Sequence, residues 1–582
     1  MVNSPDSSSS SDSYASPIVS FNLIQHSQTQ PSDETIASSC STNRLGTLLL
    51  KSRTNPKNEE IVQTVETPGL ISSAPRGSLN HLTRDNFKRI KPCNTGVHIS
   101  LEHFLDFQPP RFSLAPFELA HFLSLSPSQT SSSNTPRSTN VDVGATTDKE
   151  KQERVLISMS LRDPSSASSS CDNDDYNDES MSTDKTKSVP VNGDDHAVAL
   201  GGRGVVKVSA RDYLDWALPR PPDLLFSIAD EPTPTSSVAV SKKRLEKSLK
   251  RSLNWLNEIA PLVKTQTNLF ATLVGSQDRS RRIEFSKSLL GISSSRATSL
   301  VTTLSSPLDS LISGYVLSIP SKCSIEQSND LLKSSLSPLP TSKPRIVLAP
   351  KGPHEILRLI RDVGIDLFAA EEWSQNCSTW GIALDFEFPV SATTTTLTTT
   401  TSPEKKEKKK SIGINLYQTC HAFDFSPLST STLALSTSVQ DPHPFGPCGP
   451  PTKSYVHHLL LAHEMTSHVI LALHNQTLMN QFFESIRKVL KSGSGGAKRF
   501  EEEVEKFENL YEDREKGSEE YEIVKQGRKG WRMVEKARGK GSLKDKVLEL
   551  EKQQQKDQEE VNKVVIDVEE EKGKVLVGQE LK

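Results

Sequence analysis

Apolar residues recur along the chain in short runs of strand length, separated by segments in which they follow a helical spacing. The clearest case is an apolar β-branched run at 345–349, then a Gly-Pro turn, and a second apolar run at 365–368. Between the two runs, Ile356, Leu357 and Ile360 fall on one face of a helix. This segment therefore predicts a β-α-β unit.

Similar units are expected elsewhere, because further strand-like runs occur at 97–105, 224–230, 269–275 and 314–320. An amphipathic helix is predicted over 242–260, between two of these runs. Repeated β-α units indicate a parallel sheet covered by helices. Such a sheet is either closed into a (β/α)8 barrel or open and doubly wound, and the pattern alone leaves both architectures open.

The boundaries of the folded part follow from where large apolar residues become sparse. Residues 1–42 are polar and Ser-rich, so the fold is predicted to begin with the apolar run at 44–50 and to extend over 43–492. Low-complexity blocks at about 126–147, 164–195 and 393–410 predict loops inserted into this single domain. The charged segment 493–582 predicts an exposed helical or disordered tail, with a coiled-coil partner site as the alternative.

Composition limits the compartment and the class of protein. Only 34% of the 582 residues are hydrophobic and the mean hydropathy is -0.46, so the folded part is smaller than the length suggests. The seven cysteines contain no CxxC pair, and the first residues contain no apolar signal segment, which predicts a soluble protein of the reducing cytoplasm. The net charge of -3 does not demand a nucleic acid partner, so any such contact would need a local basic surface.

Five segments, in a fixed order, carry a resemblance to a known family. The two most specific are 343–368, which is similar to KPRxxxGxxxPxxxLxxxxxGVDxF, and 454–475, which is similar to AYxHHLxxxxExLxxxLLxxHN. The segments 67–90, 204–223 and 242–258 match the family's earlier motifs. Together they resemble the tRNA-guanine transglycosylase family, and within it the non-catalytic subunits of eukaryotes.

The resemblance implies a (β/α)8 TIM-type barrel with a zinc-bearing subdomain inserted near its C-terminal end, which decides between the two architectures. It also implies a part in exchanging guanine for queuine at the wobble position of tRNA anticodons. Peripheral association with the mitochondrial outer membrane is a further property of the family.

The residues for this chemistry are missing from the chain. Catalytic members carry a nucleophilic Asp directly after the GxDxF pattern, and here GIDLF is followed by Ala369 and Ala370. The DSGGFQ motif, which supplies the second carboxylate, does not occur, and Ser276 replaces a small residue of the base pocket. We therefore expect no catalytic residue, and we interpret Asp366 as a structural carboxylate with a functional role as the alternative. Glu371 and Glu372 are near in sequence but displaced from the position of the nucleophile.

The zinc motif of the family is only partly preserved. Cys448 stands seven residues before Tyr455 and His474 stands 26 residues after Cys448, as the family's third cysteine and histidine do. The other two cysteine positions fall on Phe445, which cannot bind a metal, and on His443, which can. The resemblance thus implies zinc at His443, Cys448 and His474, with water, His421 or Cys420 in the fourth position, or else a metal-free segment. We interpret His457 and His458 as packing and hydrogen-bonding residues of a helix.

The resemblance also implies a partner, the catalytic queuine tRNA-ribosyltransferase subunit, in a heterodimer that brings this chain to tRNA. The helix predicted over 454–475 and the segment after it are expected to contribute to the interface. Its apolar positions are Val456, Leu459, Leu460, His463 and Val469, and burial within the chain's own barrel is the alternative. Two other functions remain open: an active transglycosylase with relocated carboxylates, and a scaffold unrelated to tRNA.

Overall fold

The structure is a computed structural model of the 582-residue chain. It describes residues 19–26, 43–51, 61–90, 96–125, 155–164, 192–232, 240–263, 267–292, 307–320, 323–391, 409–429, 451–492, 495–514 and 518–538. Most of the three predicted insertions, and the segment that contains His443, Phe445 and Cys448, lie outside these residues. No helix in the described ranges is both long and apolar enough to cross a bilayer.

A three-stranded antiparallel sheet precedes the barrel. It consists of β1 (Val19–His26), β2 (Arg44–Lys51) and β3 (Ile61–Thr67), paired in the order β1-β2-β3. The predicted start of the fold at residue 43 is therefore too late. The sequence hides β1 because it carries alternating polar residues and lies among Ser-rich neighbours.

Eight parallel strands then close into a barrel in chain order, which confirms the (β/α)8 architecture. A hairpin of β7 (His196–Gly201) and β8 (Gly204–Ser209) lies between the third and fourth of them. The barrel strands are β4 (Gly69–Ser73), β5 (Gly96–Ser100), β6 (Leu156–Ser160), β9 (Leu224–Phe226), β10 (Asn268–Leu273), β11 (Gly314–Ser318), β12 (Arg345–Leu348) and β13 (Leu367–Glu371). The sequence pattern predicts six of these eight, and it misses β4 and β6, which are short and rich in Ser.

Helices connect the strands and cover the barrel. They are α1 (Arg84–Arg89), α2 (Leu119–Phe122), α3 (Ala210–Ala217), α4 (Lys242–Val263), α5 (Arg279–Leu289), α6 (Ile325–Leu336), α7 (Pro353–Arg358) and α8 (Trp373–Thr379). Polar residues fix where several of them begin. Ser209 with Asp212, and Ser324 with Gln327, form capping boxes that satisfy the first free amides of α3 and α6.

The barrel interior is apolar and is closed at its N-terminal mouth. Inward side chains such as Phe226, Phe270 and Val316 form one buried cluster, which also includes Leu48 of β2 and Val65 of β3. The three-stranded sheet therefore covers the N-terminal end of the barrel, because it contributes these two side chains to the interior core.

The chain continues after β13 into a C-terminal subdomain. It contains the two-stranded sheet of β14 (Ile382–Leu384) and β15 (Gly413–Asn415), followed by α9 (Lys453–Leu461), α10 (Met465–Leu490), α11 (Gly496–Leu510) and α12 (Glu519–Arg538). The helix predicted over 454–475 is thus two helices, separated at His463, whose φ of 59° is incompatible with a continuing helix.

Two predictions for this subdomain are wrong. Val456, Leu459 and Leu460 are buried in the chain's own core, so they cannot form a partner surface. The segment from 496 to 538 is not an exposed tail, because α11 buries Phe500 and Phe507 against the barrel core and α12 packs on β15. Residues beyond 538 lie outside the described part of the chain.

Candidate functional site

The candidate site is the C-terminal mouth of the barrel, where barrel enzymes place their reactive groups. At the end of β13, Ala369 is fully buried and its methyl group belongs to the apolar cluster inside the barrel. Ala370 adopts a φ of 54° and interrupts the pairing with β4 between Ala369 and Glu371. The position of the family's nucleophile therefore carries a methyl group that cannot attack a ribose carbon.

The two carboxylates that follow serve the fold. Glu371 is buried, and its two oxygens accept hydrogen bonds from the backbone amide and the hydroxyl of Ser374 at 2.7 and 2.8 Å. Burial raises the pKa of Glu371 to about 7 despite these hydrogen bonds. Glu372 is half-buried and accepts a hydrogen bond from the hydroxyl of Ser73 at 3.1 Å. Glu371 therefore holds the start of α8, while Glu372 reaches the edge of the mouth.

Two more carboxylates lie after β5 and β9, and both are held by partners. Glu102 is buried, which raises its pKa, and it accepts hydrogen bonds from the amides of Asp163 and Leu200. Asp230 accepts two hydrogen bonds from the Arg244 guanidinium, each 2.7 Å long. Burial acts to raise the pKa of Asp230, but its arginine partners hold that pKa below the usual value.

The turn after β10 is also occupied by internal contacts. The backbone amide of Ser276 donates to Glu231 at 2.7 Å, and the Ser276 hydroxyl donates to the carbonyl oxygen of Pro232 at 3.2 Å. The buried guanidinium of Arg282 donates to the carbonyl oxygen of Ser276 at 2.6 Å. Ser276 thus lies where the sequence predicts an altered base pocket, and its polar groups bind the protein itself.

Asp366 lies at the opposite, N-terminal mouth. Its carboxylate is fully buried, 3.0 Å from Nε of Arg44, and it accepts a hydrogen bond from the amide of Arg345 at 2.8 Å. Burial raises the pKa of Asp366, and the Arg44 guanidinium opposes that rise. The structural interpretation of Asp366 is therefore confirmed, because the side chain cannot reach the C-terminal mouth.

One cleft of about 800 Å³ opens beside the ends of β11, β12 and β13. Its walls combine strand-end residues with α8 and α12, and they include Lys351, Glu372, Trp373, Trp380, Arg528 and Trp531. The guanidinium carbon of Arg528 lies 4.3 Å from the centre of the Trp380 ring. The cleft is thus mixed in charge and rich in aromatic side chains, and Glu372 is the carboxylate of the β13 end that lines it.

The predicted zinc ligands are not brought together within the described residues. His443 and Cys448 lie outside them, and His474 is buried in α10 with Nε2 at 2.8 Å from the carbonyl oxygen of Leu384. In the described part of the chain, no three His, Cys, Asp or Glu side chains are placed to hold a metal ion.

The neighbouring histidines are engaged in different ways. Nδ1 of His457 lies 2.7 Å from the carbonyl oxygen of Leu416, so its predicted role in packing and hydrogen bonding is confirmed, whereas His458 is exposed. His421 lies 3.5 Å from Asp424, and Cys420 is exposed.

Sequence reasoning missed the contribution of the C-terminal segment to this site. Phe500, Val504, Phe507 and Tyr511 repeat at helical spacing and are all buried, so their pattern could have revealed α11. Among the α12 residues whose burial is described, 519–534, Val524 and Val534 are the only buried residues with large apolar side chains, and they stand too far apart to form a recognisable stripe.

Comparison with known proteins places this geometry in a family. Residues 195–513 match the family model described as queuine tRNA-ribosyltransferase. A protein of Schizosaccharomyces pombe named queuine tRNA-ribosyltransferase accessory subunit 2 is 25% identical over 331 residues, which cover 55% of this chain and 60% of that protein. The Danio rerio protein of the same name is 25% identical over 312 residues, covering 50% of this chain and 68% of the relative. The human one is 27% identical over 179 residues, covering 28% and 40%.

Proposed function

The chain belongs to the queuine tRNA-ribosyltransferase family, and from this premise we propose that it is the non-catalytic subunit of a tRNA-guanine transglycosylase. In this role it supports the exchange of guanine for queuine at the wobble position of the tRNA anticodon. The observation that carries the proposal is the buried methyl group of Ala369 at the end of β13, where the reaction requires a carboxylate.

The remaining carboxylates of the C-terminal mouth support this proposal. Glu102, Asp230 and Glu371 each accept hydrogen bonds from the protein, so moving one of them to a substrate would break contacts that hold a loop or a helix. Catalytic geometry tolerates displacements of only about 1 Å, which a carboxylate committed to such contacts does not meet.

The direct test is an exchange assay with labelled guanine and unmodified tRNA. We expect the purified chain alone to give no incorporation above background, and we expect the mixture with the catalytic subunit to exceed that subunit alone. Incorporation by this chain, in a preparation shown to be free of the catalytic subunit, would contradict the proposal.

A second candidate function, an active transglycosylase with relocated carboxylates, is favoured by a single observation. Glu372 lines the 800 Å³ cleft and lies close to the position that the nucleophile occupies in the family. If this alternative holds, Glu372→Gln abolishes exchange by the purified chain, whereas Glu246→Gln, on the outer face of α4, leaves it unchanged. Our proposal expects no exchange activity in either variant or in the parent protein.

The partner in the proposal is the catalytic queuine tRNA-ribosyltransferase subunit, in a heterodimer that contacts tRNA and works in the cytoplasm. An apolar surface of the C-terminal subdomain supports this pairing. Phe423, Phe425 and Tyr455 are 85%, 73% and 49% exposed. Hydrogen bonds from the Ser454 amide and hydroxyl to the carbonyl oxygens of Asp424 and Ala422, at 2.8 and 2.7 Å, join their two segments. Aromatic side chains exposed together are typical of the centre of a protein interface.

Aspartate substitutions test that surface. We expect Phe423→Asp with Phe425→Asp to weaken capture by the catalytic subunit at least tenfold, because two charges would be buried in the interface. Ile24→Asp is the matched control, since Ile24 is 61% exposed on the sheet at the other mouth of the barrel. Undiminished capture of the double variant would show that the interface lies elsewhere. A complete lack of association between the parent proteins would refute the subunit role.

The proposal expects little bound zinc, and an ion held by this chain would be structural. His443, Cys448 and His474 are the residues that would hold it, with water, His421 or Cys420 completing four ligands, and the ion would link the segment 443–448 to α10. Because Nε2 of His474 already contacts the carbonyl oxygen of Leu384, a metal must use the other ring nitrogen or displace that contact. We expect substoichiometric zinc by elemental analysis, and a full equivalent that disappears in Cys448→Ala would contradict this expectation.

A further inference from the structure

Two loops meet at the C-terminal mouth, on the side formed by β5 and β6. The loop after β5 spans 101–125, and the loop after β6 contains the hairpin β7–β8. The amide of Leu200 in this hairpin donates to the buried carboxylate of Glu102 at 3.3 Å. This contact holds the hairpin against the first loop.

The turn of the hairpin lies close against the first loop. A Cβ atom on Gly202 would lie 2.3 Å from Oδ1 of Asp106, and one on Gly201 would lie 3.1 Å from Cβ of Leu105. Gly204 has a φ of 124°, which only glycine adopts readily. Arg203 is thereby held at the tip of the turn, beside the first loop.

Two arginines from different loops stack on one exposed aromatic ring. The guanidinium carbons of Arg111 and Arg203 lie 4.0 and 4.5 Å from the centre of the Phe107 ring, which is 38% exposed. The two cations are therefore no farther apart than the sum of these distances. Among the described residues, neither guanidinium forms an ion pair or a side-chain hydrogen bond, and the neighbouring carboxylate of Asp106 faces Gly202 of the hairpin turn.

This arrangement is suited to an anionic ligand with flat rings. Two guanidiniums held this close repel each other, and a phosphate bound beside them would relieve that repulsion. Unpaired bases can stack on aromatic rings and on the planar faces of guanidiniums, and Phe107 with the two arginines offers both kinds of surface. The flanking side chains Leu114 and Phe117 are 70% and 41% exposed and add apolar surface for bases. An acidic peptide would use the charge but not the planar faces.

We propose that Phe107, Arg111 and Arg203 form a binding site for single-stranded RNA at the rim of the barrel. We call these three residues the arginine platform. Its RNA ligand deepens the proposed function, since it gives this subunit a direct contact with an unpaired segment of tRNA. The platform depends on no catalytic group, so it can bind RNA in a subunit without chemistry.

The test measures RNA binding by the full chain, alone and with the catalytic subunit, using fluorescence anisotropy. The probes are a labelled single-stranded uridine oligonucleotide and an unmodified tRNA transcript. We expect Arg111→Gln with Arg203→Gln to weaken binding of both probes about tenfold. The slope of log affinity against log salt should fall by about 1.4, the value for two phosphate contacts on a single strand.

Two further variants separate the platform from general charge. Arg211→Gln with Lys488→Gln removes two positive charges that are already paired with Asp215 and Glu484, and should leave binding within twofold. Arg111→Lys with Arg203→Lys keeps the charge but loses the planar faces, and should retain the salt slope while losing part of the affinity. Lysine variants that bind as tightly as the parent would overturn the stacked geometry on which the inference rests.

The remaining outcomes distinguish this inference from the subunit role. Loss of RNA binding with undiminished capture by the catalytic subunit supports both. RNA binding through the platform by a chain that never associates with that subunit supports the RNA site and refutes the proposed function. A glutamine variant that keeps RNA binding and its salt slope, or that loses only subunit capture, overturns the RNA site and identifies a protein contact instead.

Discussion

The two mouths of the barrel use carboxylates in contrasting ways. At the N-terminal mouth, Asp366 is fully buried beneath the three-stranded sheet, forms an ion pair with Arg44 and accepts a hydrogen bond from the amide of Arg345. At the C-terminal mouth, Glu102, Asp230 and Glu371 each accept several hydrogen bonds from the loops and helices that follow the strands. The first mouth is closed by packing, whereas the second is filled by polar contacts around an apolar end of β13.

This difference shows that the two ends of one barrel can be held by different kinds of contact. The packing and the ion pair at the N-terminal mouth stabilise the closed barrel. Neither involves a group that would react with a substrate. At the C-terminal mouth, where β13 presents the buried Ala369, the polar groups of the loops bind one another. Stability and function are located at opposite ends of such a fold, so one can change while the other is kept.

Breaking the buried ion pair should have the largest effect on stability. Arg44→Met leaves the buried carboxylate of Asp366 without its charged partner, and we expect a loss of about 3–5 kcal/mol in the free energy of unfolding, measured by urea titration. Arg211→Gln breaks an exposed pair with Asp215, in which both side chains are about half exposed, and should cost less than about 1 kcal/mol. If the two variants lose similar stability, the N-terminal mouth is not the stabilising end.

The C-terminal mouth should instead make stability depend on pH through Glu371. The pKa of Glu371 is about 7 in the folded chain against 4.5 for an unperturbed glutamate, so between these values the native state binds more protons than the unfolded state. Stability contributed by the protonated carboxyl is therefore lost as pH rises through about 7. We expect the parent protein to lose about 3 kcal/mol relative to Glu371→Gln between pH 4.5 and pH 7.5.

Urea titrations of both proteins across that range measure the difference. Glu246→Gln, in which an exposed carboxylate on α4 is replaced, should follow the parent curve at every pH. A constant offset between the Glu371→Gln variant and the parent would show that Glu371 stays ionised in the fold.

A smaller effect is expected where α12 covers the C-terminal subdomain. A Cβ atom on Gly527 would lie 2.8 Å from the carbonyl oxygen of Trp380, so Gly527→Ala should cost about 1–3 kcal/mol by forcing the helix away. In a helix that does not dock, the same substitution would stabilise by about 1 kcal/mol, because alanine is the better helix former. Lys529→Ala, at an exposed position of α12, is the control. Thermal unfolding shows whether Gly527→Ala lowers or raises the stability of the protein. A higher melting temperature for this variant would mean that α12 is not docked.

Prediction from the sequence succeeded where a signal is local. Six barrel strands were predicted from runs that contain β-branched or aromatic residues between turn signals, and this local pattern indicates a strand without tertiary context. They are β5, β9, β10, β11, β12 and β13. It failed at β1, β4 and β6 and at α12, whose apolar residues are too few or too widely spaced to form a pattern. These elements are held by neighbours that lie far away in the sequence.

The candidate site likewise has features that the sequence predicts and features that it does not. The sequence shows directly that alanine follows GIDLF and that DSGGFQ is absent. Both observations predict that no nucleophile stands at the end of β13. The sequence also contains Phe107, Arg111 and Arg203, but nothing local indicates that the two arginines share one ring.

The sequence by itself therefore determined the β-α units, the family resemblance through which the barrel was expected, and the alanine after GIDLF, since each depends on residue types within short stretches. Only the tertiary structure decided what the remaining polar groups do. Arg44 meets Asp366 across 322 positions of the chain, and Glu520 of α12 binds the amide of Ile412 across 108. Closure of the barrel and docking of α12 bring these partners together. A buried charged group must pair with a group that the packed fold places beside it, because it is removed from water.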